Sequence, residues 1–306
     1  MKKNILVYGA GRIAIRHIQA IIRENTVGRI YVYDRKQSAL IKIKTFFNRD
    51  KNNSKLIYIN NQKIIKKKTF FLAFLCTYAF NRIPLIKKIK KFCNIKYFIV
   101  EKILESNIAN FRKIKFVTKD IFVNMPLRNI SPFRIIKSNL NSKKIDAKLV
   151  ATNWNMICNS LHYINYISHI TNSSVENISI KKLKGRYKLV RENFIDFYGE
   201  IIVTYENGSK LQIISKKNSS KHYFNIRQEK KIFNYNFKNE KLQIEKKFFY
   251  SKMEYVSKLS NKFYKSLVQC GKAQLPTFDQ ALKENFFFIQ EFLKNIKNKS
   301  DILKIT

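Results

Sequence analysis

ILVYGAGRIAIRH, residues 5–17, decides the fold. An apolar, β-branched run ends at Gly9, a short turn carries Gly11, and apolar residues then recur at helical spacing: Ile13, Ile15, Ile18, Ile21 and Ile22. RIYVYD at 29–34 reads as a second strand. Strand, glycine turn, helix and strand make one βαβ unit, with a right-handed crossover and its turn at the carboxyl edge of a parallel sheet.

In such a turn Gly9 permits the tight backbone, and Gly11 lets the main chain approach a diphosphate. The anion would sit at the positive end of the helix, on the free amides of the first turn, where Arg12 and Ile13 stand. A third glycine would serve only close helix–strand packing, so Ala14 in its place costs one methyl group. Asp34 ends the second strand, where a carboxylate can accept hydrogen bonds from both ribose hydroxyls of an adenosine; this favours NAD. Arg35 and Lys36 follow at once and could hold a 2′-phosphate, which keeps NADP open.

The alternation continues. KLIYIN at 55–60, TFFLAFLCT at 69–77 and KYFIVEK at 96–102 read as strands, and IPLIKKIKKFC at 83–93 as a helix. A doubly wound parallel sheet follows.

Composition narrows the function classes. The 306 residues carry a formal charge of +41, which would ordinarily point to nucleic acid. The lysines, however, are spread along the chain and travel with abundant Asn, Ile, Phe and Tyr, while Gly (7) and Pro (4) are scarce. That pattern fits a drift toward A/T-rich codons, so no nucleic-acid partner is expected. Cys76, Cys93, Cys158 and Cys270 stand far apart, with no metal-ligand spacing and no disulfide framework. The N-terminus reaches Gly9 too soon for a signal-peptide core, and the longest apolar run, at 69–80, is about half a bilayer span. A cytoplasmic protein without a membrane partner is expected.

The motifs resemble those of the Gfo/Idh/MocA family, the relatives of glucose-fructose oxidoreductase and inositol dehydrogenase. For the family's G-x-G-x-x-G-x-x-H this chain has Gly9, Gly11, Ala14 and His17. For T-P-x-x-x-H after the fourth strand it keeps Thr77 but has Tyr78 and Arg82; for E-K-P after the fifth it has Glu101, Lys102 and Ile103. For D-x-x-x-H on the first helix of the second domain it has Cys158 and His162, with Asn159 and Asn165 beside them. Residues four apart share a helix face. The W-x-x-x-C-N-S-x-H form looks like a bacterial branch associated with surface-polysaccharide and nucleotide-sugar metabolism.

The resemblance implies an NAD(P)-dependent oxidoreductase acting on a sugar, nucleotide sugar or polyol. Lys102 and His162 would be catalytic; Gly9, Gly11, Arg12, Ile13, Asp34, Arg35, Thr77 and Glu101 would bind the cofactor; Arg128 and Asn159 would bind substrate. It also implies a Rossmann domain over 1–122 and an α+β domain over 123–306 with an open, mainly antiparallel sheet, pairing subunits into a homodimer or homotetramer. Strand-like runs from about 175 agree, and Asn207-Gly208 between alternating runs predicts a type I′ hairpin turn. LPTF at 275–278 opens a terminal helix over 277–297, expected to pack back on the first domain, with Thr277 as N-cap. Two other function classes remain: a nucleotide-binding relative without catalysis, and a basic nucleic-acid-binding protein, which would gather lysines and exposed aromatics on one face.

Overall fold

The computed structural model describes residues 1–114, 116, 118–141, 143–188, 195–296 and 302–303, with only the backbone of 184–188 and 195. The chain divides into two compact units. The first comprises residues 1–105, 112–124 and 255–279, and the second residues 106–111, 125–254 and 280–306.

The first unit holds β1 (Lys3–Tyr8), α1 (Arg12–Ile21), β2 (Val27–Tyr33), α2 (Gln37–Phe47), β3 (Leu56–Ile59), β4 (Thr69–Leu75), α3 (Arg82–Phe92), β5 (Asn94–Val100) and, after the short α4 (Ile108–Phe111) of the second unit, β6 (Ile121–Val123). These strands form one parallel sheet in the order β3-β2-β1-β4-β5-β6. The chain winds outward from β1 in one direction and from β4 in the other, so the switch point lies between them. Ile5, Leu6, Leu72, Phe74, Phe98 and Val100 are fully buried, as expected for strands covered on both faces.

The second unit opens with α5 (Ser131–Asn139), β7 (Asp146–Thr152) and α6 (Met156–Thr171). It continues through β8 (Val175–Lys188), β9 (Ile195–Tyr205), β10 (Lys210–Lys216), β11 (Tyr223–Gln228), β12 (Lys231–Asn236), β13 (Lys241–Ile244) and β14 (Lys247–Tyr250). Its sheet runs β14-β13-β12-β11-β7-β10-β9-β8, and only the β7–β10 pair is parallel. Burial alternates along β10, with Leu211 and Ile213 fully buried, and α6 covers that face with Leu161, Ile164 and Ile167.

Two details depart from the sequence expectations. The β9–β10 connection is not a type I′ turn: of Asn207 and Gly208 only the glycine has a positive φ, 78°. Four residues, 206–209, separate the strands, and a longer loop needs one left-handed position rather than two. The strand pattern also gives no warning of α7 (Val256–Cys270), which packs on α1 in the first unit through Leu259, Ser260, Phe263 and Tyr264. Asn261 secures it, donating to Ala20 O at 2.7 Å and Glu24 Oε1 at 2.6 Å. The final helix, α8 (Phe278–Asn295), groups with the second unit from Gln280 onward, and residue 297 lies outside the described residues. Among the described residues no helix is long and apolar enough to cross a membrane.

Candidate functional site

The glycine turn has the two properties that the sequence asks of it. Gly9 adopts φ +100°, and a Cβ there would stand 2.9 Å from the backbone carbon of Cys76, so glycine is required. Gly9 N donates to Tyr33 O and Cys76 N to Tyr8 O, each at 2.8 Å, which pins the turn to the sheet. Gly11 is different: its backbone is extended, and a Cβ would meet nothing within 4 Å. Open space therefore lies against the main chain there. Helix α1 starts at Arg12 with no side-chain cap and no acidic residue in its first turn, which leaves the positive helix end to an anion. Arg12 is exposed and Ile13 half-buried at this end, while Ala14 is fully buried beneath it. These features fit a dinucleotide diphosphate.

Asp34, after β2, is held by two backbone amides. Ala10 N donates to Oδ2 at 2.8 Å and Lys36 N to Oδ1 at 2.9 Å. Each oxygen keeps a further lone pair for a hydroxyl. Arg35 is exposed beside it. Thr77, after β4, has a buried Oγ1 with no hydrogen-bond partner among the described residues, so it can serve a bound molecule. Lys102, after β5, is half-buried, and the Lys102–Ile103 peptide is cis. The turn at 9–13, Asp34, Thr77 and Lys102 thus follow the carboxyl ends of β1, β2, β4 and β5, four adjacent strands of one parallel sheet.

Glu101 follows the carboxyl end of β5, one residue before Lys102. It is buried, and its Oε1 accepts from His17 Nε2 at 2.9 Å and Asn124 Nδ2 at 2.6 Å. The other ring nitrogen of His17 lies 2.9 Å from Ser260 Oγ, and the imidazole stacks on Phe74 with centroids 4.3 Å apart. Burial alone would raise the pKa of Glu101. The hydrogen bonds from His17 and Asn124, with the nearby charges of His17 and Arg82, outweigh it and hold the carboxyl below its usual range. Glu101 supports the sheet edge from within.

In the second unit α6 presents Cys158, Asn159 and His162 half-buried within one turn. Arg128 sits in a short 3-10 turn, Pro126–Asn129, and donates to Asn165 Oδ1 at 2.8 Å. Asn165 Nδ2 in turn donates to both carboxylate oxygens of Glu284, at 3.3 and 3.0 Å. Burial pushes the Glu284 carboxyl up to about 7 against the pull of Ser168, Asn165 and Arg128. Burial also lowers Arg128, to about 10, with Glu284 opposing. Sequence reasoning missed this chain of polar groups, because Glu284 carries no signal on an amphipathic helix until Asn165 is seen beside it.

No known family model matches the sequence, and no curated protein matches it. Solved structures match in three dimensions. Myo-inositol dehydrogenase from Lactobacillus casei, in complex with NAD(H) and myo-inositol, superposes with a TM-score of 0.73 over 98% of this chain and 96% of that one, at 12% identity. The chain has the fold of these oxidoreductases. UDP-N-acetylglucosamine 3-dehydrogenase GnnA from Acidithiobacillus ferrooxidans gives 0.66 over 97% of each chain at 9% identity. Biliverdin reductase from Synechocystis sp. PCC 6803, in complex with biliverdin and NADP+, gives 0.68 over 95% of this chain and 98% of that one at 10% identity. The likeness covers both units, and so agrees with the Rossmann sheet and the mainly antiparallel second sheet expected from the sequence.

Proposed function

We propose that the protein is an NAD(P)-dependent oxidoreductase acting on a carbinol carbon of a sugar, nucleotide sugar or polyol. The observation that carries this reading is the open backbone at Gly11, set at the uncapped start of α1 and on the same sheet edge as Asp34, Thr77 and Lys102. The fold neighbours support it: their names record NAD(H), NADP+, myo-inositol and a UDP-sugar activity.

The first-turn amides of α1 hold the diphosphate. Asp34 accepts from the adenosine ribose and, being an acceptor only, favours NAD; Arg35 is the residue through which NADP could still be held. Thr77 Oγ1 supplies a hydrogen bond near the middle of the sheet edge. The bound nicotinamide supplies the hydride acceptor or donor. Lys102 takes the hydroxyl proton during oxidation and returns it during reduction. From the second unit, His162 is assigned assistance with that proton, and Asn159 and Arg128 neighbouring hydroxyls or a phosphate, as the resemblance implies. Assembly as a homodimer or homotetramer belongs to the same proposal and is read by light scattering.

The deciding experiment titrates NADH and NADPH by fluorescence, then screens polyols and nucleotide sugars with wild type and Lys102→Ala. Binding of a nicotinamide dinucleotide and turnover that Lys102→Ala abolishes support the reading. Failure of both dinucleotides to bind at millimolar concentration overturns it.

A further inference from the structure

We propose that Arg82 and Glu105 are positioning residues for Lys102, acting through the backbone of residues 101–105. The proposal rests on the reading of Lys102 as the proton-transfer group.

Arg82 is the first residue of α3 and is buried. Its Nη1 donates to the carbonyl oxygens of Glu101 and Ile103, and its Nη2 to that of Thr77. The Glu101 carbonyl lies in the peptide that enters Lys102, the Ile103 carbonyl in the peptide one residue beyond it, and the third belongs to the adjoining strand end. The contacts also run the other way. Glu105, fully buried, accepts the Asn81 amide on Oε1 at 3.0 Å and the Ile83 amide on Oε2 at 3.1 Å. Residues 81–83 and 101–105 are therefore tied by a cation reaching one segment's carbonyls and an anion reaching the other's amides.

Both side chains suit this work. A guanidinium offers five donors in a rigid planar fork and stays charged at every physiological pH, so it can serve several fixed carbonyls at once. A histidine, the residue that the family pattern implies at position 82, has two ring nitrogens and could not reach three carbonyls. At position 103 the pattern implies proline, whose ring restricts its own backbone. Ile103 has no ring, and here its carbonyl is held by Arg82. The two departures from the family pattern thus meet in one hydrogen-bonded group. Holding the 101–102 and 103–104 peptides braces the backbone before and after residue 102, and with it the origin of the Lys102 side chain.

The test needs no substrate. Folded protein is labelled with trace acetic anhydride, and acetylation of Lys102 relative to Lys2 is read by peptide mass spectrometry in wild type, Arg82→Met, Arg82→Lys and Glu105→Gln. We expect the ratio to change about threefold or more in Arg82→Met and in the same direction in Glu105→Gln, with partial recovery in Arg82→Lys, because a displacement of an ångström alters reactivity strongly. In Glu105→Gln, which leaves the turn at 9–13 and the Arg82 contact with Thr77 in place, NADH affinity should stay within about twofold. A clamp with a purely structural role would lower the melting temperature and leave the ratio at its wild-type value; that result overturns the proposal. If Arg82→Met does not fold, Glu105→Gln decides by the same ratio. Protection of Lys102 by saturating NADH is a separate arm: its absence would overturn the role of Lys102 without bearing on the clamp.

Discussion

His17 Nε2 lies 2.9 Å from Glu101 Oε1, joining the first helix to the end of the fifth strand inside the first unit. Asn124 adds a second hydrogen bond to the same oxygen, so the Glu101 pKa is held below the usual carboxylate range despite burial. The unfolded chain then takes up the proton at higher pH than the folded one. The stabilisation is present above the ordinary carboxylate range and is lost as pH falls through it. Glu101→Gln should lower stability at pH 7 by about 2 kcal/mol and make the acid limb of the stability curve shallower. Urea melts from pH 3 to 7 measure both; an unchanged acid limb would show that the pair contributes nothing.

The two turn glycines should separate folding from binding. Gly9→Ala forces a left-handed backbone on alanine and a Cβ onto Cys76, and is expected to cost about 2 kcal/mol or more. Gly11→Ala meets no neighbour, so its melting temperature should match wild type while NADH affinity falls about tenfold as the methyl group enters the diphosphate space. Calorimetry and fluorescence titration read the two effects; equal loss of stability in both variants would contradict the assignment.

Asp34→Ser tests the choice of dinucleotide. Removing the carboxylate takes away the ribose acceptor and its repulsion of a 2′-phosphate, with Arg35 left exposed beside it. The ratio of NADH to NADPH affinity should move toward NADPH by about tenfold, the equivalent of 1.4 kcal/mol. A ratio that stays put would place the adenosine ribose elsewhere.

Glu284 predicts the opposite pH trend in the second unit. Its carboxyl is raised to about 7, so the folded chain holds a proton that the unfolded chain has already released. Stability from this group is complete below the ordinary carboxylate range and declines as pH rises through 7. Glu284→Gln should flatten that decline and raise stability at pH 8 by about 1–3 kcal/mol. Denaturant midpoints at pH 5 and pH 8 suffice to check it, and a variant less stable than wild type at pH 8 would refute it.

Local pattern decided a great deal here. The sequence alone determined the order of strand, glycine turn, helix and strand, the acid after β2 and the lysine after β5, because side-chain periodicity and turn chemistry act between near neighbours, while the mainly antiparallel second sheet was implied by the resemblance of the motifs. The strand-like runs give no sign of helix α7, and nothing local says that such a helix joins the unit built by the first hundred residues. The partners of polar groups were likewise out of reach. Only the tertiary structure decided that Glu101 meets His17 and Asn124, that Arg82 gathers the carbonyls of Thr77, Glu101 and Ile103, and that Arg128 leads through Asn165 to Glu284. A buried polar atom must find a partner, and which one lies within reach is set by packing between segments as much as 243 residues apart in the chain.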